Sequence, residues 1–267
     1  MSAPARNREG AVRAPPLSAL GLGKTFGAED GRPVDVIGSV SFDLGEGEIV
    51  SIVGPSGCGK TTLLNLICGL LPPTAGSVLW YGRELAGVPP RVGYMLQKDL
   101  LLPWRTAVQN VTLGLEVKRV GGRERLATAH RLLDRLGLKG FADYYPSALS
   151  GGMRQRVALA RTLASDPEVL LLDEPFSALD FQTKILIERD TARLVRGERR
   201  SLLLITHDIE EAVSLSDRVI VLSHRPCTVV SQHRIDLPGD RTDMMAMRER
   251  PEFARTVRTI WTELDIR

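Results

Sequence analysis

Gly54-Pro55-Ser56-Gly57-Cys58-Gly59-Lys60-Thr61 has the spacing G-x-x-x-x-G-K-[ST]. Glycines let a backbone curl so that successive N–H groups point inward, forming a concave anion nest that a Cβ would obstruct. Lys60 adds a point charge suited to the β and γ phosphates of a nucleotide, and the Thr61 hydroxyl suits Mg²⁺. The chemistry these residues point to is the holding of a polyphosphate.

A second group of reactive types lies far along the chain. Val169-Leu170-Leu171-Leu172-Asp173-Glu174-Pro175 is an apolar run ending in two carboxylates. Asp173 at such an end can hold Mg²⁺ through water, and Glu174 can orient and deprotonate a water that attacks a γ-phosphate. Gln97 follows another apolar run, from where its amide oxygen can reach a metal or that water. His207 follows Ser201–Ile205, level with the acids, where an imidazole can reach a phosphate oxygen. The remaining histidines, His130, His224 and His233, fall in polar segments and read as solvated.

Elements must bring these residues together. Glu48–Val53 is a short β-rich run before the glycine loop, and Thr61–Leu70 reads as a helix burying Leu63, Leu64, Leu66 and Ile67. Strand, loop and helix are the required context, and the helix start adds its positive dipole end. Leu17–Asp43 reads as an antiparallel hairpin edge turning at Gly27–Pro33; within it Phe26 is either core or a stacking face for a purine. Gly76–Gly82 and Arg91–Gln97 are further strands. Leu126, Ala129, Leu132, Leu133 and Leu136 recur at helical spacing until Gly137 stops them. Ser150 is a good N-cap for a helix running to Ala164, whose first-turn amides are free for an anion or simply capped. The all-apolar Val169–Leu172 suits the centre of a parallel sheet. After Arg218–Leu222 and a β-like Thr228–Leu237, Phe253, Val257, Ile260, Trp261 and Leu264 share one face of a final helix. The fold class is α/β.

Composition narrows the alternatives. In 267 residues, 35 Lys+Arg oppose 32 Asp+Glu, a net +3 spread through the chain, so nucleic acid is not a suggested partner. No run approaches the roughly 18 apolar residues of a membrane helix. Met1–Pro16 is rich in Ala, Pro and Arg, unlike a secretory signal, and reads as a disordered tail. Cys58, Cys68 and Cys227 form no C-x-x-C pair, as in a reducing cytosol without structural disulfides or zinc. Cys58, inside the glycine loop, reads as a tolerated small residue rather than a redox group.

In chain order, the glycine loop, Gln97, Leu149-Ser150-Gly151-Gly152-Met153-Arg154-Gln155, the Asp173-Glu174 strand end, Ser177–Asp180 and His207 resemble the full motif set of an ABC-type ATPase subunit over Leu17–Leu222. The resemblance implies a P-loop nucleotide-binding domain with a mainly parallel core sheet, an antiparallel β subdomain and an inserted helical subdomain (about 98–165). The domain would span 17–240, with 1–16 as the tail and 241–267 as a helical segment packed on it. It implies ATP and Mg²⁺ as ligands and ATP hydrolysis coupled to transmembrane transport as the activity. ATP would be held by Phe26, Gly54, Pro55, Ser56, Gly57, Cys58, Gly59, Lys60, Thr61 and Thr62. Phe26 stands where many members have Tyr, and is implied to stack on adenine. Glu174, His207, Gln97 and Lys60 would be catalytic, and Thr61, Gln97 and Asp173 would ligate the metal. Ser150, Gly151, Gly152 and Gln155 would meet the ATP of a partner subunit, and Asp180 lies in the dimer loop, so two copies form a homodimer with two composite sites.

Within that family, Leu100-Leu101-Leu102-Pro103-Trp104-Arg105 and the segment from Asp243 to Leu264 are similar to importer subunits of the nitrate, sulfonate and taurine group. This implies a peripheral place on the cytoplasmic face of the inner membrane. Its partners would be integral membrane permease subunits, one of which docks at Trp104, and, indirectly, a periplasmic or surface substrate-binding protein. The alternatives are an ATPase serving a separate exporter permease and a soluble non-transport ABC ATPase. The latter is disfavoured by the single cassette and the absence of a long coiled-coil insertion.

Overall fold

The computed structural model describes residues 14–27, 32–84, 87–238 and 243–264. Most of the expected tail, and the turn between Gly27 and Pro33, lie outside them. Among the described residues ten strands form one sheet: β1 (Leu17–Gly27), β2 (Pro33–Leu44), β3 (Ile49–Val53), β4 (Ala75–Trp80), β5 (Arg83–Glu84), β6 (Val92–Met95), β7 (Val169–Asp173), β8 (Ser201–Ile205), β9 (Arg218–Leu222) and β10 (Cys227–Arg234). Their order is β5-β4-β1-β2-β10-β9-β3-β8-β7-β6. From β9 to β6 every pairing is parallel, whereas β5-β4-β1-β2 is antiparallel. The β1–β2 hairpin is therefore not an edge: β4 covers the far side of β1. Nor is β7 the centre, since only β6 lies beyond it; both its faces are covered nonetheless.

Strand periodicity divides the core in two. On β3, β7, β8 and β9, the residues Ile49, Val53, Leu170, Leu172, Leu202, Leu204, Val219 and Val221 face one apolar cluster, while the intervening Val50, Ile52, Val169, Leu171, Leu203, Ile205, Ile220 and Leu222 face the other. Strands buried on both faces need no polar alternation, which is why these runs are apolar apart from Ser51 and the end residues Asp173, Ser201 and Arg218. One face is covered by α1 (Lys60–Ile67) and the curled antiparallel strands. The other is covered by α2 (Ala107–Val111), α3 (Leu113–Val117), α4 (Gly122–Arg135), α5 (Gly151–Ala164), α6 (Phe181–Gly197), α7 (Ile209–Leu215), α8 (Met244–Arg248) and α9 (Pro251–Leu264). Helices α2 to α4 fall between β6 and α5 in the chain, and α2 and α4 pack on α5. Ala129, Leu132, Leu133 and Leu136 are buried, whereas Leu126 stays 45% exposed.

The C-terminal helix departs from its expected face. Phe253 and Ile260 are buried, but Trp261 is 61% exposed. The buried pair lies seven residues apart on one line of the helix, and α7 and β9 cover only the stripe around that line. His233, expected to be solvated, is half-buried: its Nε2 lies 2.8 Å from Glu263 Oε2 and 3.0 Å from Ser231 Oγ, tying β10 to α9. Solvent accounts for His130 and His224, which are exposed.

Candidate functional site

The carboxyl ends of parallel strands converge, and in open α/β sheets that edge is where ligands bind. The glycine loop follows β3, Glu174 follows β7, His207 follows β8, and Gln97 follows β6 by two residues. Ser56, Gly57, Gly59, Lys60, Thr61, Thr62, Gln97, Asp173 and Glu174 together line a cleft of about 240 Å³. A larger cleft, about 750 Å³, lies at the opposite ends of the strands, but there Arg200 is already paired with Asp166 and Glu198.

The loop's geometry follows from what surrounds it. A Cβ on Gly54 would lie 3.1 Å from both Cys58 Sγ and Leu222 Cβ, and Gly59, at φ 123°, has Ile37 and Val36 in the corresponding space. Only glycine fits both the dihedral and the room at Gly59. Pro55 O accepts from Cys58 N at 3.3 Å and, with Gly54 O, from Lys60 Nζ at 2.9 and 2.8 Å. Helix α1 begins at Lys60 with no side-chain cap, so the first-turn amides and the dipole face the cleft. The Cys58 side chain is buried, turned away from the cleft, and burial pushes its thiol pKa up.

Across the cleft, Thr61 Oγ1 donates to Asp173 Oδ2 at 2.8 Å. Asp173 is 1% exposed; burial and the neighbouring Glu174 carboxylate raise its pKa, against the Thr61 hydrogen bond and the Lys60 charge. Gln97 Nε2 donates to Glu174 Oε2 at 3.1 Å, and His207 Nδ1 lies 3.3 Å from the same oxygen. Glu174 holds φ at 49°, in the left-handed region, and its N–H donates to Ile205 O at 2.8 Å, which fixes the carboxylate at the mouth of the cleft. Two neighbouring hard oxygens, from Thr61 and Asp173, with an amide beside them fit Mg²⁺. That ion is commonly held by one or two protein groups plus substrate phosphates rather than by a protein cage. Among the described residues no group of three or more His, Cys, Asp and Glu forms such a cage.

Phe26, Ser150, Gly151 and Gly152 do not line this cleft. Phe26 is 38% exposed at the end of β1, with Lys24 Nζ 5.2 Å from its ring centre. Ser150 caps α5 by accepting from Met153 N at 3.2 Å, and it is exposed. Gly152 allows the start of α5 to sit against Ala178 and Leu179, where a Cβ would be 3.2 Å from Ala178 O. Gln155, three residues on, faces the same loop: it is 6% exposed, donates to Ser177 Oγ at 3.2 Å and accepts from Ala178 N at 3.1 Å. Within this chain, then, Gln155 fastens α5 to the loop that leads to Asp180. Asp180 is exposed and caps α6 by accepting from Thr183 N at 3.0 Å.

The segment after Gln97 is held from within. Buried Asn110 accepts from Leu102 N at 2.8 Å and donates to the carbonyls of Leu102, Arg105 and Thr106, while Arg161 donates to the carbonyls of Asp99 and Leu100. Arg154 Nε donates to Asp99 Oδ2 at 3.0 Å, tying this loop to α5. Trp104 is left pointing outward, 71% exposed.

Two features were not picked out from the sequence. Arg225 lines the same cleft from the β9–β10 loop; applying the strand-end rule to β9 would have found it. The other is a buried ionic cluster beneath His207. Lys184 Nζ lies 2.7 Å from both Glu211 and Asp208 and 3.8 Å from Glu188, which Arg248 of α8 approaches to 3.5 Å. Burial works against the Lys184 charge, but Glu211 and Asp208 hold its pKa above the usual lysine range. Glu188 is fully buried; burial and Glu211 push its pKa up to about 8. A carboxylate whose folded pKa is raised contributes stability below its unfolded value of 4.5 and loses it as pH rises through about 8. Thermal melts at pH 6 and pH 9 should therefore show the parent losing more stability than Glu188→Gln, a gap of a few °C at about 2–4 °C per kcal/mol. Parallel losses would contradict the raised pKa.

A P-loop beside strand-end acids, under a curled antiparallel sheet and with a helical insertion, defines an ATP-binding cassette. Residues 37–177 match the ABC transporter family, and the chain belongs to it. It is 46% identical over 217 residues to an uncharacterized ABC transporter ATP-binding protein of Methanocaldococcus jannaschii, covering 80% of this chain and 81% of that one. It is 42% identical over 241 residues to a nitrate import ATP-binding protein of Synechocystis, covering 89% and 90%. Against a taurine import ATP-binding protein of Roseobacter denitrificans it is 38% identical over 239 residues, covering 89% of each chain. The dimeric post-hydrolysis structure of the cassette MJ0796 bound to ADP and Pi is 33% identical, with a TM-score of 0.76 over 82% of this chain and 99% of that one. The chain is an ATP-binding, ATP-hydrolysing ABC subunit.

Proposed function

We propose that this chain hydrolyses MgATP at two composite sites of a homodimer and thereby drives a membrane importer for a small anion of the nitrate, sulfonate or taurine class. The observation that carries the reading is the convergence of Lys60, Thr61, Gln97, Asp173 and Glu174 on one cleft, with His207 at Glu174, in a chain similar over 89% of its length to nitrate and taurine import ATPases. Loop amides and Lys60 hold the β and γ phosphates. Thr61, Gln97 and Asp173 would hold Mg²⁺, which when bound would offset phosphate charge. Glu174 takes a proton from a water positioned with Gln97; the water oxygen bonds to the γ-phosphorus as the bond to the β-bridging oxygen breaks, leaving ADP and phosphate. His207 orients Glu174 and meets the γ-phosphate, and Phe26 stacks on adenine.

Exposed Ser150 and half-buried Gly151 and Gly152, at the start of α5, serve the partner subunit's ATP, so closure of the dimer completes both sites. Gln155 supports that face from below, through Ser177 and Ala178. No described helix is long and apolar enough to cross a membrane, and the chain would work from the cytoplasmic face through separate permease subunits fed by a substrate-binding protein. In cells lacking the chain, ATP-dependent uptake of labelled nitrate, taurine or an alkylsulfonate should fall to background and return with the parent but not with Lys60→Ala. Unchanged uptake of all three, or a loss of efflux instead, rejects the import reading.

Trp104 is the proposed permease contact, since an outward indole on a loop internally satisfied by Asn110 is a surface awaiting a partner. Trp104→Ala should reduce uptake several-fold while ATP binding by the isolated subunit stays unchanged. Its melting temperature should also hold, because the roughly 3–5 kcal/mol cost of deleting a Trp applies to buried ones. A lowered melting temperature with intact coupling would make Trp104 a packing residue.

A further inference from the structure

The parallel strands β9, β3, β8, β7 and β6 lie side by side, and all but β9 have been assigned a residue or loop that serves the nucleotide cleft. The end of β9 is level with the start of the glycine loop, since Val221 pairs with Val53, and Leu222 fills the space beside Gly54. Three residues on, Arg225 reaches the cleft. Its carrier loop is tightly closed: Ser223 N donates to Thr228 O at 3.0 Å, and Thr228 N donates to Ser223 Oγ at 2.9 Å. The far side is anchored where β10 begins, with Cys227 paired to Ile37 of β2.

From that loop, Arg225 Nη2 donates to Gly57 O at 3.0 Å. The Gly57–Cys58 peptide is thereby held at both ends, because its N–H donates to Pro55 O at 3.3 Å. Gly57 is exposed, holds φ at 74° and has no atom within 4 Å of where a Cβ would stand, so packing alone does not fix this peptide. The direction of the following amides depends on it. Arg225 is exposed, and among the described residues its side chain makes no other hydrogen bond or ion pair that would explain its orientation by packing of the fold.

We propose that Arg225 is a positioning residue of the nucleotide site: it clamps the Gly57 carbonyl so that the loop amides face the phosphates, and adds a second cation beside Lys60 at the triphosphate. This rests on the nucleotide reading above. A guanidinium on a carbonyl is a charge-assisted contact, and it costs little here because Arg225 remains open to water. Its charge already reaches the loop, opposing with Lys60 the burial that raises the Cys58 thiol.

The test measures MgATP, MgADP and adenosine affinity, together with steady-state hydrolysis, for the full-length parent, Arg225→Ala, Arg225→Lys and Lys60→Ala. Arg225→Ala should weaken MgATP about tenfold and MgADP less, with adenosine unchanged and kcat at saturating MgATP within about threefold of the parent. Arg225→Lys should recover most of the lost affinity, since an ammonium can still donate to Gly57 O. The nucleotide-free melting temperature of Arg225→Ala should match the parent. MgATP affinity of Arg225→Ala equal to the parent's overturns the proposal, as does a lowered nucleotide-free melting temperature that accounts for the weakened binding. Failure of the parent to bind MgATP, or full binding by Lys60→Ala, would instead remove the nucleotide reading itself.

Discussion

Lys60→Ala should lose ATP turnover by about 10² to 10³, the usual cost of deleting one preorganised charge contact at a reacting centre. Lys60 is 8% exposed and its Nζ reaches the Gly54 and Pro55 carbonyls, so its ammonium is held inside the loop rather than waving beside it. The loop amides and the α1 dipole remain in the variant, but they carry partial charges, and a γ-phosphate brings more charge than they offset. Hydrolysis assayed with the membrane partner present, alongside a melting curve, reads the effect. Near-parental turnover would undo the assignment of the loop; a large fall in melting temperature would assign the loss to folding instead.

What the sequence made legible was whatever is local. The glycine loop between β3 and α1, the Ser150 cap and the acids ending β7 each depend on residues within one short stretch, and the structure forms all of them. Apolar strand runs gave the parallel sheet because double-sided burial writes itself into every position. Lateral order was not legible, since nothing in β7 says whether one strand or several lie beyond it, and an apolar run looks the same in either place. Contacts between distant residues were equally hidden: Arg225 meets Gly57 across 168 positions and Arg248 meets Glu188 across 60. A charged residue in a loop carries the same letter whether solvated or paired, and His233 read as solvated for that reason until Glu263 stood beside it. Gln155 shows the complementary case. Its motif implied a contact with a partner's ATP; five residues past Ser150, about 1.4 helical turns, its side chain points about 140° away from that of Ser150, and within this chain its amide bonds to Ser177 and Ala178.

Glu174→Gln should abolish hydrolysis, by at least about 10² to 10⁴, while converting the chain into an ATP-dependent dimer. Gln is nearly isosteric with Glu and meets the same backbone demand at φ 49°, so the Glu174 N–H bond to Ile205 O and the fold should persist. The side-chain oxygen can still accept from Gln97, now 3.1 Å from Oε2. What disappears is the capacity to take the proton of the attacking water. Because Ser150 is exposed, Gly151 and Gly152 are half-buried, and none of the three lines its own chain's cleft, their first-turn amides are available to a phosphate held by another copy. Uncleaved γ-phosphate should then bridge two subunits, whereas ADP lacks the bridging group. Light scattering of the variant should give a dimer with MgATP and a monomer with MgADP, and adding Ser150→Arg, which places bulk and charge at the helix start, should return the MgATP form to monomer. Full hydrolytic activity in Glu174→Gln would remove Glu174 as the base. A mass independent of nucleotide would instead sink the composite site, leaving the cleft of Lys60 and Thr61 to act within one chain.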